Sequence, residues 1–295
     1  MTAARPQPRP FTLDIAGTPL AGVAWHEELR GQAPTLLLVH ATGFHARVWD
    51  PVLQRLPQRH AIAIDLPGHG LSPARPFTGW EAFSRVIAAA AEALELQGAV
   101  GVGHSMGAHT LLQAASWQPG RFARLLAIDP VLFEPGFYRP QLEWDAAEAA
   151  RHPAAARKNH FASVQALMDR FAGRVPYAGF HPEALQAWAG HALKPADDGD
   201  GFELRCAPLT EACIYTSARH NPGIYAALRS LDIPVTITRV RDRDLSIEPF
   251  DPLGSPTWAG VAAELKQGRD LHLADRCHLL PMDDPDFTAQ LVAQA

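Results

Sequence analysis

Residues 101–107 read Gly-Val-Gly-His-Ser-Met-Gly, with a glycine two positions before and two positions after Ser105. An apolar run at 99–102 precedes the serine, and alanines and leucines follow it at the three- and four-residue spacing of a helix face. Glycine at both flanks leaves room for a sharp turn, since a Cβ there would collide with the neighbouring strand or helix. We therefore predict a strand, a turn with Ser105 at its apex, and a helix.

The same glycines allow a second interpretation, because Gly101, Gly103 and Gly107 fit a loose nucleotide-binding pattern, G-x-G-x-x-x-G. A dinucleotide fingerprint usually opens the first strand–helix–strand unit and is followed by an acidic residue about 20 positions later. Here the pattern lies a third of the way along the chain. This position favours the interpretation of Ser105 as a nucleophile. A nucleotide loop or a purely structural turn remains as an alternative.

The G-x-S-x-G arrangement resembles the nucleophile elbow of the α/β-hydrolase family. A second segment supports this resemblance: His40-Ala41-Thr42-Gly43-Phe44, directly after an apolar run, is similar to the family's H-G-x-G oxyanion loop, with Ala41 in place of the first glycine. The resemblance implies that the backbone N–H groups of Thr42 and Met106 form an oxyanion hole.

A third segment, 65–72, is similar to the family's D-x-x-G-x-G-x-S stretch. The resemblance gives it an architectural role. We therefore expect no chemistry from Asp65, His69 or Ser72, and expect these side chains to hold the adjacent loops by hydrogen bonds.

The fourth segment, 277–285, resembles the family's histidine loop, with Asp283 and Pro285 at the expected distances after His278. A serine hydroxyl is a poor nucleophile until a positioned imidazole takes its proton. We therefore predict that His278 is the general base for Ser105. The neighbouring Cys277 is interpreted as a small packing residue.

The acid of the proposed catalytic triad has four candidates. Most of the family carries it in a G-x-x-D turn, but residues 240–244 read Val-Arg-Asp-Arg-Asp, with Arg243 in the acid position. Asp244 and Asp242, in that order of preference, flank that position, Asp251 lies further along, and Asp129 ends the strand after the nucleophile helix, where some family members carry the acid. We favour Asp129, because a strand end holds a carboxylate more rigidly than a loop of alternating arginine and aspartate.

Alternating apolar runs and helical stripes predict an α/β fold in two separated parts. Strands are predicted at 11–15, 20–25, 35–39, 61–64, 99–102, 125–128, 235–238 and 270–273, and core helices at 83–94, after Ser105, at 222–231 and at 286–293. The fold class is a mostly parallel α/β-hydrolase sheet flanked by helices.

Between the two parts the pattern changes, with helical stretches near 141–150, 163–171 and 182–191 and no convincing buried strand. We interpret this stretch as an inserted helical cap. The predicted domains are core 1–133, cap 134–216 and core 217–295.

Composition restricts the partners. A chain of 295 residues with a net charge of -5 argues against a nucleic-acid or anionic-membrane partner, and no apolar run is long enough to cross a bilayer.

The odd number of cysteines, 3, suits a reducing compartment, so a cytoplasmic location is expected. Residues 1–10 lack an apolar signal segment and predict a loose, extended tail. The histidines are scattered, so neither a metal nor a cofactor is expected.

These observations predict a serine hydrolase that cleaves a small or medium apolar carboxylic ester or lactone through an acyl-enzyme on Ser105. Serine at the apex argues against the dehalogenase and epoxide-hydrolase branches of the family, which carry aspartate there. Carbon–carbon bond hydrolysis and cofactor-free perhydrolysis use the same residues and stay open. A non-catalytic ligand-binding protein of the same fold is the alternative of another class, favoured by the empty acid position and by Ala41. The partner is a small-molecule substrate, and the oligomeric state is left open.

The cap also contains aromatic residues that suggest a lid over an apolar pocket, although such residues at helical spacing are more often simple core. They are Trp144, Phe161, Phe171, Tyr177, Phe180 and Trp188.

Overall fold

The strands and helices follow the apolar runs and amphipathic stripes of the sequence. The computed structural model describes residues 7–138, 145–247 and 251–295. In chain order the strands are β1 (Arg9–Ile15), β2 (Thr18–Trp25), β3 (Leu36–Val39), β4 (Ala61–Ile64), β5 (Ala99–His104), β6 (Phe122–Ile128), β7 (His160–Phe161), β8 (Leu193–Pro195), β9 (Phe202–Leu204), β10 (Val235–Val240) and β11 (Gly268–Leu273). The α-helices are α1 (Asp50–Leu53), α2 (Trp80–Ala93), α3 (Met106–Ser116), α4 (Ala146–Arg151), α5 (Val164–Phe171), α6 (Pro182–His191), α7 (Pro208–Thr216), α8 (Ile224–Ser230), α9 (Leu280–Asp283) and α10 (Pro285–Gln294). Within the described ranges, none of these helices has the length and apolar character needed to cross a membrane.

Eight of the strands form one sheet in the order β1-β2-β4-β3-β5-β6-β10-β11. β2 runs antiparallel to β1 and to β4, and every other neighbouring pair is parallel. The predicted fold class, a mostly parallel α/β sheet, is confirmed. In β3 the side chains of Leu37 and Val39 join the core under α2 and α3, while Leu36 and Leu38 join the core on the opposite face. Helices therefore cover both faces, which is why β3 reads as a continuous apolar run.

The stretch between β6 and α8 carries α4, α5, α6 and α7, and the buried aromatic residues of 161–188 share one hydrophobic cluster with Leu36 and Leu38 of β3. It contains α5 and α6 where the sequence predicts helices, and residues 141–144 of the remaining predicted helix lie outside the described residues. The sequence shows no convincing buried strand there, whereas the structure has three short strands, β7, β9 and β8, which form a small antiparallel sheet. α7 packs against α4 in this stretch and α8 packs against α3 of the core, so we propose 134–216 as the limits of the cap.

The cap is attached to the core by specific contacts beside the predicted oxyanion loop. The rings of Phe44 and Phe180 lie 6.0 Å apart, and Nε2 of His45 is 3.0 Å from the carbonyl oxygen of Trp188. Arg55 of the core pairs with Glu183 of α6 at 2.7 Å. These contacts hold the cap against the core.

At the amino terminus the predicted tail was too long. Arg9 and Pro10 pair with Ala24 and Val23 and so belong to β1. Residues 1–6 of the predicted tail lie outside the described residues.

Glycine at position 107 is a steric requirement of this fold. A Cβ on Gly107 would lie 2.3 Å from the carbonyl oxygen of Val39, which is backbone and cannot move aside. We predict that Gly107→Ala lowers the free energy of unfolding by about 1–3 kcal/mol, measured by urea denaturation. Gly190→Ala on α6 is the control: nothing lies within 4 Å of its Cβ, so it should raise stability by up to about 1 kcal/mol. Equal stability of both variants would contradict this packing argument.

Candidate active site

Ser105 occupies the sharp turn between β5 and α3. Its backbone angles, φ 55 and ψ -118, are in a region that L-residues rarely adopt, and its N–H donates to the carbonyl of Ile128 at 2.9 Å. The two flanking glycines allow this turn, because a Cβ on Gly103 would lie 2.4 Å from the Cα of Ala108. The side chain of Ser105 is thereby presented at the carboxyl edge of the sheet, where the residue is 5% exposed.

His278 lies in the loop after β11, and its ring points at Ser105. Its Nε2 is 3.0 Å from Oγ of Ser105, and its side chain is 15% exposed. The backbone N–H of His278 donates to the carbonyl of Leu253 at 2.8 Å, and Nε2–H of His104 donates to the carbonyl of His278 at 2.7 Å. The backbone N–H and C=O of His278 are therefore both hydrogen-bonded, and His104 links the elbow to the histidine loop.

Asp129 is the carboxylate that the structure brings to His278. Its Oδ2 accepts a hydrogen bond from Nδ1 of His278 at 2.6 Å, and the Asp129 side chain is fully buried. Its other oxygen, Oδ1, accepts from the hydroxyls of Ser255 at 2.5 Å and Thr257 at 3.2 Å. The N–H of Val240, in the position where a G-x-x-D turn has glycine, also faces Oδ1 at 3.3 Å. Hydrogen bonding to the charged form compensates for the burial of this carboxylate.

Among the described residues, none of the other three acid candidates bonds to His278. Asp242 and Asp244 are exposed, and Oδ1 of Asp244 accepts hydrogen bonds from the hydroxyl and the N–H of Ser246, which lower the pKa of Asp244. In the same loop Arg241 forms an ion pair with the buried Asp251 at 2.7 Å. Arg241, Asp244 and Asp251 therefore form their bonds within this loop.

The predicted oxyanion loop lies against the elbow. Oγ1 of Thr42 contacts Sδ of Met106 at 3.5 Å, and a Cβ on Gly107 would lie 2.4 Å from the carbonyl oxygen of His40. The Met106 N–H begins α3 and has no intrahelical acceptor, and within the described residues no hydrogen bond satisfies the Thr42 N–H. The positive φ of the loop, 79, is at Gly43, whereas Ala41 has ordinary backbone angles. Alanine at the first glycine position therefore causes no backbone strain.

The segment after β4 has the architectural role that the sequence predicts. Oδ1 of Asp65 accepts from the N–H of Ala46 at 2.6 Å, and Oδ2 accepts from the N–H of Leu71 at 2.9 Å. His40 completes the link, since its Nδ1–H donates to the carbonyl of Ala41 and its Nε2 accepts from the N–H of Leu66. These bonds fasten the oxyanion loop to the neighbouring strand end.

The cap aromatics form mainly a cluster with one another, with ring centroids 4.9 Å apart for Phe171 and Tyr177 and 4.5 Å apart for Tyr177 and Trp188. Phe161 packs on Phe171, and Trp144 lies outside the described residues. They are therefore chiefly the core of the cap.

Two cavities lie beside the loops that carry the site, and neither is lined by Ser105 or His278 themselves. The histidine-side cavity, of about 220 Å³, is lined by Phe180, Leu253, Cys277 and Leu279 together with charged residues of the neighbouring loops. The oxyanion-side cavity, of about 10 Å³, is lined by Gly43 and by residues of the cap. Burial raises the pKa of the Cys277 thiol to about 11, so this thiol is protonated at neutral pH and takes no nucleophilic part. In the described ranges no group of three His, Cys, Asp or Glu side chains could hold a metal ion.

Comparison with known proteins assigns this chain to a family. The chain belongs to the alpha/beta hydrolase family, whose family model matches residues 36–291. The protein is therefore a hydrolytic enzyme, and the non-catalytic alternative is not needed.

Two relatives and one solved structure that resemble the chain are named as hydrolases or esterases. A 2-(acetamidomethylene)succinate hydrolase of Mesorhizobium japonicum is 30% identical over 213 residues, 71% of each chain. A pimeloyl-[acyl-carrier protein] methyl ester esterase of Methylococcus capsulatus is 37% identical over 275 residues, 90% of this chain and 95% of the relative. A crystal structure of E-2-(acetamidomethylene)succinate hydrolase matches with a TM-score of 0.74 at 24% identity and 98% coverage of both chains.

The site region contains several buried histidines that stay uncharged. Burial lowers the pKa of His45 and His104 to about 3 and that of His69 and His109 to about 4, and it lowers the pKa of His40 well below its usual range. The pKa of each of these histidines is lower in the folded chain than its unfolded value of about 6.5. Below pH 6.5 the unfolded chain therefore binds more protons than the folded chain does. Their contribution to stability is complete above pH 6.5 and is lost as the pH falls toward 4.

We predict that the free energy of unfolding falls between pH 7 and pH 5.5, by up to about 1.4 kcal/mol per pH unit for each histidine. Burial raises the pKa of Asp50 to about 6 and also raises those of Asp65 and Asp283, which act in the opposite direction, while His60 and His191 act in the same direction as the five histidines above. Urea denaturation at the two pH values measures the effect. His109→Gln should make the fall smaller and the exposed His272→Gln should not, and an unfolding free energy independent of pH would contradict the prediction.

Proposed function

We propose that this enzyme hydrolyses carboxylic esters through an acyl-enzyme on Ser105. The observation that carries the proposal is one chain of contacts: Ser105 Oγ to His278 Nε2 at 3.0 Å, and His278 Nδ1 to Asp129 Oδ2 at 2.6 Å. In this proposal His278 takes the hydroxyl proton as Ser105 attacks the ester carbonyl. Asp129 holds the imidazole in the required tautomer and stabilises the imidazolium that forms.

The oxyanion of the tetrahedral intermediate would be held by the N–H groups of Thr42 and Met106. Both donors belong to backbone that is already fixed, by the start of α3 and by the hydrogen bonds of His40. Fixed donors need no reorganisation as charge develops, and one such donor is worth about 3 kcal/mol of transition-state stabilisation. His278 then returns its proton to the leaving alcohol and activates the water that releases the acyl group.

A small or medium ester or lactone suits the space around this site. The histidine-side cavity of about 220 Å³, with Phe180, Leu253 and Leu279 in its walls, can take a short apolar part of the substrate. Ester hydrolysis also agrees with the methyl ester esterase among the relatives. The two features that favoured a non-catalytic protein have physical explanations: Asp129 supplies the acid, and Ala41 fits the loop without strain.

Removal of the nucleophile should abolish activity. We predict that Ser105→Ala lowers kcat for short methyl esters, thioesters and lactones by at least about 10³-fold and abolishes labelling by a fluorophosphonate probe. Ser116→Ala, on the same helix, is the control and should retain both. An Ser105→Ala protein that hydrolyses the esters at the wild-type rate would end this proposal.

The assignment of the acid is tested by a matched pair of variants. Asp129→Asn should lower kcat by about 10³–10⁴-fold, because an amide favours the wrong imidazole tautomer and stabilises no imidazolium. Asp244→Asn changes an exposed side chain that bonds Ser246, so it should leave kcat unchanged. Steady-state kinetics on one ester decides, and a fully active Asp129→Asn enzyme would refute the assignment.

A further inference from the structure

The oxyanion-side cavity combines core and cap residues. The core contributes Gly43, Phe44 and His45, which continue the chain from Thr42, and the cap contributes Arg157, Arg205 and Glu211. Gly43 directly follows Thr42 in the chain, so the lining of this cavity begins one residue beyond the proposed oxyanion donor. A substrate group in the cavity would therefore be joined to the reacting carbonyl past Gly43.

Two of the lining cations differ in how their charge is balanced. Arg157 pairs with Glu211 and donates to Oη of Tyr177 at 3.0 Å, and Tyr215 donates to Glu211 at 2.8 Å. Arg205, by contrast, is half-buried, and its guanidinium makes no ion pair or hydrogen bond with any residue in the described part of the chain. Arg205 is therefore the cation of this cavity that is available to a ligand.

The surroundings of Arg205 leave its charge unbalanced. The carboxylate whose charge acts on Arg205 is Asp65, and its two oxygens accept hydrogen bonds from the N–H groups of Ala46 and Leu71. Burial lowers the pKa of Arg205, and the attraction of Asp65 does not offset this effect. The pKa of His191 is lowered to about 4, first by burial and then by Arg47 and Arg205, so no further positive charge arises there at neutral pH.

The position of Arg205 is fixed while its side chain is not. Its backbone N–H donates to the carbonyl of Ala192 at 2.8 Å, directly after β9. The side chain lines the cavity and is held by no hydrogen bond to the described residues, so its donors are available to a ligand there. Guanidinium binds a carboxylate through two parallel hydrogen bonds, which suits this small space better than a phosphate does.

We propose that Arg205 binds a carboxylate of the substrate, so that the preferred substrate is an ester carrying a free carboxylate a few bonds from the reacting carbonyl. This inference rests on the proposed esterase function and adds a charge requirement to the apolar ester expected from the sequence. Arg205 is then a specificity residue of the oxyanion side, and the histidine-side cavity takes the uncharged part of the substrate.

The test compares methyl hydrogen glutarate with methyl pentanoate, which differ by a carboxylate in place of a methyl group. The wild type should hydrolyse the charged ester with a kcat/KM at least about tenfold higher, as a charge-assisted hydrogen-bond pair provides. Arg205→Gln should lower the ratio of the two kcat/KM values at least about tenfold, and Arg205→Lys should restore part of it. Arg170→Gln, an exposed arginine of α5, is the matched control and should keep the ratio.

A binding measurement separates this inference from the esterase proposal. Calorimetry with Ser105→Ala should detect glutarate, and adding Arg205→Gln should weaken its binding at least about tenfold. If neither ester is hydrolysed but glutarate binds through Arg205, the esterase proposal fails and the carboxylate site stands. If both esters are hydrolysed with a ratio that Arg205→Gln does not change, the carboxylate site is overturned and the esterase proposal stands. If neither hydrolysis nor binding occurs, both are overturned.

Discussion

The backbone conformation of Ser105 is the constraint on which the rest of the site depends. A non-glycine residue with a φ of 55 is strained, typically by about 1–3 kcal/mol, and persists only where its surroundings enforce it. Here the enforcement is close packing: Gly103 lies against Ala108, and Gly107 lies against the carbonyl of Val39. The same contacts place the hydroxyl of Ser105 and the N–H of Met106 side by side, so one tight turn positions both a nucleophile and an anion donor.

The parallel sheet supplies the remaining groups, because the carboxyl ends of its strands meet at one edge. Thr42 follows β3, Ser105 follows β5 and Asp129 follows β6, which are neighbours in the sheet. β10 separates Asp129 from β11, and its last N–H, on Val240, points to the Asp129 carboxylate. His278 is carried by the loop after β11, which reaches back over this edge. Burial keeps the connecting histidines neutral, so they act as hydrogen-bonding links without adding charge beside the imidazole.

The parts that the sequence predicts are those encoded by consecutive residues. The glycines around Ser105 and the spacing after His278 are local patterns, and the core strands are continuous apolar runs. The choice of the triad acid cannot be read from a local pattern in this way. Asp129 accepts a hydrogen bond from Ser255, 126 positions away, and no local pattern indicates that this hydroxyl lies beside it. The cap sheet was missed for a related reason. Its strands have two or three residues, too few to show alternation, and only their mutual pairing makes them strands.

The chemistry and the selectivity of this enzyme therefore come from different kinds of sequence information. The groups placed for proton transfer and anion stabilisation lie on the core and can be read from motifs. Arg205 lies after a cap strand that has no sequence signature, and its charge is left without a counter-ion among the described residues. A half-buried cation loses hydration, and within the described residues Arg205 gains no counter-ion, so a carboxylate of the substrate would offset that cost. A neutral ester cannot offset the desolvation of Arg205. Arg205 therefore distinguishes a charged ester from a neutral one, although the catalytic residues of the core would treat the two alike.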